Sequence, residues 1–88
     1  MGKNSRRDRI VQLGCILCRH LGLGETPAEC HHIRRMGMKR SNAEEIPLCP
    51  EHHRGNSGVH GMGRKAFSRH YGVTEEDLLA QTEELIAD

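Results

Sequence analysis

The stretch from Ile46 to His53, Ile-Pro-Leu-Cys-Pro-Glu-His-His, constrains the fold of this chain more than any other segment. Ile46 and Leu48 alternate as in a short buried strand, and Pro50 suits the first turn of a helix, where its missing N–H has no intrahelical partner. Neighbouring helical residues point about 100° apart, so one ion cannot easily bind both His52 and His53. We therefore expect a strand that runs into a helix, with a ligand for a different site on each side.

Bound metal is the expected substitute for a large apolar core. The chain has 88 residues with one Phe, one Tyr and no Trp, but it has four Cys and seven His. Domains of this size bury only about 60% of their unfolded surface and often need metals or disulfides as staples. No signal peptide is evident, and no apolar run approaches the roughly 20 residues of a membrane span. We predict one cytoplasmic domain over residues 1–88, with reduced thiols and zinc rather than disulfides.

The charged residues divide the chain into two parts. Residues 1–74 contain all 13 Lys and Arg against six acids, a charge of +7, whereas residues 75–88 contain six acids and no base, a charge of −6. A basic body predicts a polyanionic partner for that part only. The acidic segment at about 74–87 has the pattern of a helix capped by Thr74 and Asp77, and we interpret it as structural packing rather than as part of a cofactor site.

The remaining patterns predict short helices around a hairpin. Gly14 and Gly72 follow two candidate helices as stop signals. Residues 34–40 form a basic loop between two candidate strands. The expected elements are a helix at 5–13, a strand at 28–33, a strand at 46–48, a helix turn at 49–54 and a helix at 62–71.

Two short motifs together predict a structural zinc site. Cys15-x-x-Cys18 is followed later in the chain by Cys49-x-x-His52, which supplies the four N/S ligands of a closed tetrahedral site. Cys30 is an alternative fourth ligand, although a free Cys in a strand also serves as a small apolar residue. A redox role for the Cys-x-x-Cys motif would need a thioredoxin-like context that this chain does not offer.

The histidines left over predict a second site. His31, His32, His53 and His60 are its candidates. Successive strand residues point to opposite faces, so we expect one of His31 and His32 to be a ligand and the other to be free. Coordination by few imidazoles leaves positions open for water and substrate, and a free His beside the ion is a natural general base. The alternative is that these histidines are ordinary surface or core residues.

Several segments resemble the HNH (ββα-metal) nucleases: His31-His32-Ile33, Asn42, Pro47-Leu-Cys-Pro-Glu-His-His53 and Val59-His-Gly-Met-Gly63. The resemblance covers about residues 15–72 and is closest to a small zinc-containing phage branch that includes a recombination-enhancement nuclease acting with a recombinase. It implies a small α+β fold, with a ββα-metal core, a zinc knuckle and flanking N- and C-terminal helices.

The resemblance also implies roles by position. His31, His53 and His60 correspond to ligands of a catalytic ion, and His32 corresponds to the general base. The residues that match the family's structural zinc knuckle are Cys15, Cys18, Cys49 and His52.

The chain departs from the family pattern at the residue that orients the base. Many members carry Asn five residues before the equivalent of Cys49, where this chain has Glu44. Asn42, two residues earlier, is the expected residue to orient His32, and Glu44 is the alternative.

The implied activity is that of a metal-dependent DNA endonuclease, phage-encoded or from a bacterial host cell. It would hydrolyse phosphodiester bonds with Mg²⁺, Mn²⁺, Ni²⁺ or Zn²⁺ as catalytic ion and a separate structural Zn²⁺, as a monomer or weak dimer. The expected partners are DNA, bound with little sequence preference, and a recombinase filament. The residues expected to contact DNA phosphates are Arg34, Arg35, Lys39, Arg40, Arg64 and Lys65. The other interpretation is a zinc-stabilised nucleic-acid-binding module without catalysis, which would hold only one ion.

Overall fold

A computed structural model describes residues 6–33 and 44–87 of the chain. Its elements in chain order are α1 (Arg6–Gln12), α2 (Ile16–His20), β1 (Glu29–Ile33), β2 (Glu44–Leu48), α3 (Pro50–Arg54), α4 (Val59–Met62), α5 (Arg64–Tyr71) and α6 (Glu75–Ile86). The predicted small α+β class is confirmed, and β1, β2 and α3 form the expected ββα unit. Within the described ranges, no helix has the length and apolar character needed to span a membrane.

The hairpin separates the two adjacent histidines. β1 and β2 pair antiparallel, with His31 opposite Ile46 and His32 opposite Glu45. Residues directly opposite each other lie on the same face, and the faces alternate along each strand. His31 is therefore buried on the core face beside Ile46, whereas His32 and Glu45 are half-buried on the other face.

The passage from β2 to α3 follows the local pattern of the sequence. Cys49 is still extended, with φ −67° and ψ 161°, and Pro50 is the first residue of the helix. Neighbouring residues of a helix point about 100° apart. His52 is therefore buried on one side of α3, whereas His53 is half-buried on another. The expected division of this stretch between two sides of the helix is found.

The core lies between the hairpin and the helices. Phe67 of α5 is fully buried and packs in one cluster with Ile46 and Leu48 of β2 and Leu78 of α6. The amino end of α6 is fixed by a capping box, in which the Thr74 hydroxyl accepts from the Asp77 N–H at 3.0 Å and the Asp77 carboxylate accepts from the Thr74 N–H at 3.0 Å. The acidic helix is thus capped at its amino end, and Leu78 packs it onto the core.

The helix predicted at 62–71 is shorter than expected. It begins at Arg64, and a separate short helix, Val59–Met62, precedes it. Gly63 divides the two because it takes φ +92°, a backbone conformation that is open to glycine and strained for other residues. The break matters for function because it places His60 on α4, beside α3.

Candidate metal centres

Cys15, Cys18, Cys49 and His52 form a closed group with metal-ligand geometry. Their ligand atoms all lie within 4.8 Å of one another. His52 Nδ1 lies 3.7, 3.5 and 3.3 Å from the Sγ atoms of Cys15, Cys18 and Cys49 in turn. A tetrahedral zinc with Zn–S bonds of about 2.3 Å needs ligand–ligand edges of about 3.8 Å, so the group can hold zinc.

The thiols of this group need a cation to become ligands. Burial raises the pKa of Cys15 to about 12, which strongly disfavours a thiolate without a positive partner. Cys18 Sγ and Cys49 Sγ are 4.0 Å apart, about twice a disulfide bond length, and all four cysteines of the chain are free. The geometry suits a metal and not a disulfide.

Cys30, the alternative fourth ligand, lies elsewhere. Its thiol is grouped with His32 and Glu45 on the outer face of the hairpin. The pKa of Cys30 is raised to about 11, first by burial and then by the neighbouring Glu45. His52, rather than Cys30, therefore completes the four-ligand group.

His31, His53 and His60 form a second group of three imidazoles. Their candidate ligand atoms also lie within 4.8 Å of one another. The ring centroids are 5.1 Å apart for His31 and His53, 5.2 Å for His31 and His60, and 4.8 Å for His53 and His60. One histidine comes from β1, one from α3 and one from α4, so the ββα unit and the short following helix assemble the group.

A buried carboxylate contacts His31. Glu75, at the start of α6, places Oε2 2.5 Å from His31 Nε2, and both side chains are nearly fully buried, 4% and 3% exposed. The other carboxylate oxygen of Glu75 lies 2.8 Å from Arg64 Nε. Within the described part of the chain, His31 Nδ1 is buried and has no hydrogen-bond partner.

A second carboxylate lies behind His53. Glu29 Oε1 is 2.8 Å from His53 Nδ1, and Arg54 Nη2 is 2.7 Å from Glu29 Oε2. These hydrogen bonds, the one from Arg54 first, hold the pKa of Glu29 at about 2. Because Glu29 engages Nδ1, His53 has Nε2 left to face the other two rings.

His60 is the exposed member of the group. Burial of its ring and the neighbouring His31 and His53 lower the pKa of His60, which favours the neutral imidazole that metal binding requires. Gly61 makes this position possible, because a Cβ there would lie 2.1 Å from the carbonyl oxygen of Gly55. Only glycine lets α4 approach the end of α3 so closely.

Replacement of Gly61 by alanine is expected to displace His60 from His53. Overpacking of this kind typically costs about 1–3 kcal/mol, and the three-imidazole group should bind Ni²⁺ more weakly while the four-ligand group keeps its zinc. Urea unfolding and Ni²⁺ titration of zinc-loaded protein measure the two effects. Lys65→Ala, a substitution at an exposed helical position, is the control. Wild-type Ni²⁺ affinity in the Gly61 variant would contradict the assigned contact.

His32 forms a separate pair on the outer face of the hairpin. Its Nε2 lies 2.8 Å from Glu45 Oε2, directly across the strands. Arg7 of α1 places Nη2 2.8 Å from the same carboxylate oxygen and 3.5 Å from His32 Nε2. Cys30, His32 and Glu45 form a third group of possible ligands. The Arg7 guanidinium already supplies a positive charge beside this group.

The structure bears on the residue that orients His32. Asn42, the expected one, lies outside the described residues. Glu44, the alternative, is opposite Ile33 and therefore on the other face of the hairpin from His32. Glu45 makes the contact instead. The sequence showed that the second strand carries acidic residues, but it did not show the strand register that places Glu45 opposite His32.

One cleft is bordered by His31 and His60 of the three-imidazole group and by His32. It has a volume of about 300 Å³ and is lined by His31, His32, Val59, His60, Gly63, Arg64 and Glu75. His31 and His32 leave β1 on opposite faces, yet both border this one space. The three-imidazole group is thus accessible from outside, in contrast to the buried four-ligand group.

Only two of the residues expected to contact phosphate lie in the described ranges. Arg64 Nη2 is 3.2 Å from Glu76 Oε2, in addition to its ion pair with Glu75. Lys65 is exposed, and with Arg64 and Arg69 it borders a surface hollow of about 530 Å³. The other four, Arg34, Arg35, Lys39 and Arg40, lie outside the described residues.

Sequence patterns did not identify the acidic and basic partners of the histidines. Each of His31, His53 and His32 contacts a glutamate that also contacts an arginine. The three pairs behind them are Glu75 with Arg64, Glu29 with Arg54, and Glu45 with Arg7. Most of these contacts join residues far apart in the chain, so no local motif marks them.

Fold and site together define a small α+β domain with two groups of side chains that could hold metal ions, one closed and one with two of its three histidines on a cleft. The profile of a protein family described as "Recombination enhancement, RecA-dependent nuclease" matches residues 2–87. The chain belongs to this family, whose description assigns nuclease activity and dependence on RecA. No curated protein matches the chain in a sequence search.

Proposed function

We propose that this protein is a metal-dependent DNA endonuclease of the HNH type, with separate structural and catalytic metals. Cys15, Cys18, Cys49 and His52 hold the structural zinc. His31, His53 and His60 hold one catalytic divalent ion, and His32 is the general base. The observation that carries the proposal is the cleft bordered both by His31 and His60 of the three-imidazole group and by His32.

The three-imidazole group fits a metal by the chemistry of its donors. His31 Nδ1 is buried without a partner in the described residues, a costly state for a polar atom unless something binds it. Three neutral imidazoles suit Zn²⁺ or Ni²⁺ and leave coordination positions for water and phosphate. A bound ion supplies Lewis acidity that neutralises charge on the phosphate and on the leaving oxygen.

His32 is placed to handle the proton of the attacking water. Its Nε2–H donates to Glu45, so the lone pair of Nδ1 is available to accept a proton. Glu45 is in turn held by Arg7, which fixes the carboxylate and with it the ring. Glu45 is therefore the positioning residue that we propose for the base.

The bond changes are those of phosphodiester hydrolysis. The water oxygen bonds to phosphorus as its proton passes to His32 Nδ1. The bond from phosphorus to the 3′ oxygen breaks, and that oxygen takes a proton from solvent. The products are a 5′-phosphate and a 3′-hydroxyl.

DNA is the proposed substrate because of the basic body and the family. The 13 Lys and Arg of the chain all precede the acidic helix. Electrostatic contact with phosphates supplies affinity without sequence preference. The family description implies a RecA filament on that DNA as the working context.

Cleavage assays with defined metals test the proposal. Zinc-loaded protein is mixed with supercoiled plasmid, single-stranded DNA and RecA-coated DNA in Mg²⁺, Mn²⁺ or Ni²⁺. We expect cleavage in at least one combination and loss of cleavage in a His31→Ala/His53→Ala variant. His70→Ala, an exposed histidine outside the three groups, is the matched control and should retain activity.

Metal content separates the nuclease from a zinc-stabilised binding module. The nuclease should bind two ions per chain, one of them lost in the double His variant. One ion in both proteins, with no cleavage under any condition, would refute the proposed activity and favour binding alone.

A further inference from the structure

The acidic helix α6 places Glu75 against the three-imidazole group, a contact that a packing role does not explain. Glu75 and His31 are separated by 44 positions in the sequence, yet their side chains meet inside the protein. Burial of two ionisable groups gains little stability, because their desolvation offsets their attraction. An apolar pair would serve packing equally well at this position. A polar pair here calls for a role beyond stability.

The contact selects which nitrogen of His31 faces the other imidazoles. A neutral imidazole carries one N–H and one lone pair. Glu75 engages Nε2, so the proton lies there and the lone pair lies on Nδ1. Nδ1 is the buried atom without a partner in the described residues, and the ligand atoms of the group lie within 4.8 Å of each other.

Glu75 does not belong to that group of ligand atoms. The ligand atoms that lie within 4.8 Å of one another here are those of His31, His53 and His60. Glu75 contacts His31 through Oε2, and its second oxygen is ion-paired with Arg64 at 2.8 Å without a hydrogen bond of good geometry in the described residues. The position is that of a carboxylate that supports a ligand rather than that of a ligand.

His53 shows the same arrangement with different residues. Glu29 engages the Nδ1 atom of His53, and Arg54 holds Glu29. The two histidines are therefore oriented through opposite nitrogens, each by a glutamate fixed by an arginine. Carboxylates in this position fix the tautomer of metal-bound histidines and raise their basicity.

We propose that Glu75 is the positioning residue for His31 and that the acidic helix is therefore part of the ion site. The proposal rests on the proposed ion site and deepens it. Glu75 holds the proton of His31 on Nε2, keeps the ring in place, and leaves Nδ1 for the ion. Arg64 holds the carboxylate, so its guanidinium supports the site from α5.

Ion affinity measures the role of Glu75 directly. Zinc-loaded protein is titrated with Ni²⁺ in a calorimeter. We expect Glu75→Ala to bind Ni²⁺ about 10–100-fold more weakly, the usual effect of removing such a carboxylate. Glu75→Gln should lose less, because its amide oxygen still accepts from Nε2–H but carries no charge. Glu76→Gln, which removes the adjacent carboxylate near Arg64, should bind as wild type.

The tautomer of His31 gives a second readout that a purely structural role would not move. In ¹⁵N NMR spectra of zinc-loaded protein without Ni²⁺, we expect the Nε2–H form of His31 in the wild type. Glu75→Ala should show a mixture of both tautomers. Circular dichroism and one zinc per chain establish that the variant is folded. Glu75→Gln keeps the volume of the side chain and serves if the alanine variant unfolds.

The outcomes separate the two proposals. Wild-type Ni²⁺ affinity and a wild-type tautomer in both Glu75 variants would overturn the role of Glu75 while leaving the ion site intact. Failure of Ni²⁺ to bind wild-type protein, or binding unaffected by His31→Ala/His53→Ala, would overturn the ion site itself. Weaker binding by the Glu75 variants, with unchanged zinc content, would support the positioning role.

Discussion

Replacement of Cys49 by serine is expected to leave the domain unfolded at room temperature. Cys49 follows β2, is the N-cap residue of α3 and lies within ligand distance of three other donors. Zinc binding to four-ligand sites of this kind contributes about 10–16 kcal/mol in small zinc-stabilised peptides. The stability of a whole domain is about 5–15 kcal/mol. Loss of one thiolate therefore removes enough free energy to abolish the fold.

The apolar core cannot compensate for that loss. Phe67 is the only buried large aromatic residue within the described ranges. Cys15, Cys18 and Cys49 are themselves members of the core cluster, so the zinc group and the apolar core form one unit. Without the metal, the buried thiols and His52 would leave unsatisfied polar atoms in its centre.

Circular dichroism and zinc analysis of the Cys49 variant measure the effect. Cys30→Ser is the matched control, since Cys30 is half-buried but lies outside the four-ligand group. It should stay folded with its zinc. A chelator should unfold the wild type in the same way. A folded Cys49 variant, or equal loss of structure in both serine variants, would contradict the assigned zinc group.

Replacement of His32 by alanine is expected to reduce DNA cleavage by about 10²–10⁴-fold, the usual contribution of a general base. The domain should remain folded, because His32 is half-buried on the outer face of the hairpin and contributes nothing to the zinc group. Binding of Ni²⁺ should be unchanged, since His31 is on the other face of the hairpin and His53 and His60 come from α3 and α4. The substitution should therefore lower the cleavage rate without changing the fold or the affinity for Ni²⁺.

Single-turnover cleavage with the required metal measures this prediction. Glu45→Gln is the informative companion, because it keeps a hydrogen-bond acceptor for His32 but loses the charge, and it should give a smaller loss. His70→Ala again serves as the matched histidine control. Full activity in the His32 variant would remove His32 from the mechanism, and a loss of Ni²⁺ binding would make it a ligand instead.

Local sequence patterns predicted the residues that the structure brings together in the two candidate ligand groups. Cys15 and Cys18 lie within one turn, as do Cys49 and His52, so their spacing alone brings each pair together. In the structure the two pairs meet, with all four ligand atoms within 4.8 Å of one another. Strand alternation likewise separated His31 from His32 before any register was known.

Helix boundaries were less well predicted around α4. The sequence from Val59 to Met62 was not recognised as a helix, because two glycines lie within and after it. Gly61 allows α4 to approach the end of α3 closely, and Gly63 allows the turn before α5. Neither requirement can be recognised from the sequence, because it depends on how the segments pack. The position of His60 depends on both.

The acidic helix shows the limit of local patterns most clearly. Its apolar positions and its capping box predicted a packed helix, which is correct. Glu75 is one of three acids in the first turn of α6, where acids favour a helix amino terminus, so nothing in the sequence sets it apart from its neighbours. Its contact with His31 depends on how α6 lies against the hairpin, and no pattern within the helix encodes that arrangement.

Local chain geometry was enough to predict the fold class, the two Cys/His motifs and the placement of His31 and His32 on opposite faces of a strand. These features follow from chain geometry over a few residues, namely the turn, the helix and the alternating strand. The tertiary structure alone decided which carboxylates support which histidines. Glu45 depends on the strand register, and Glu75 on the docking of a helix distant in sequence. Such contacts arise from packing of the whole domain, where side-chain positions are fixed by partners that sequence spacing does not specify.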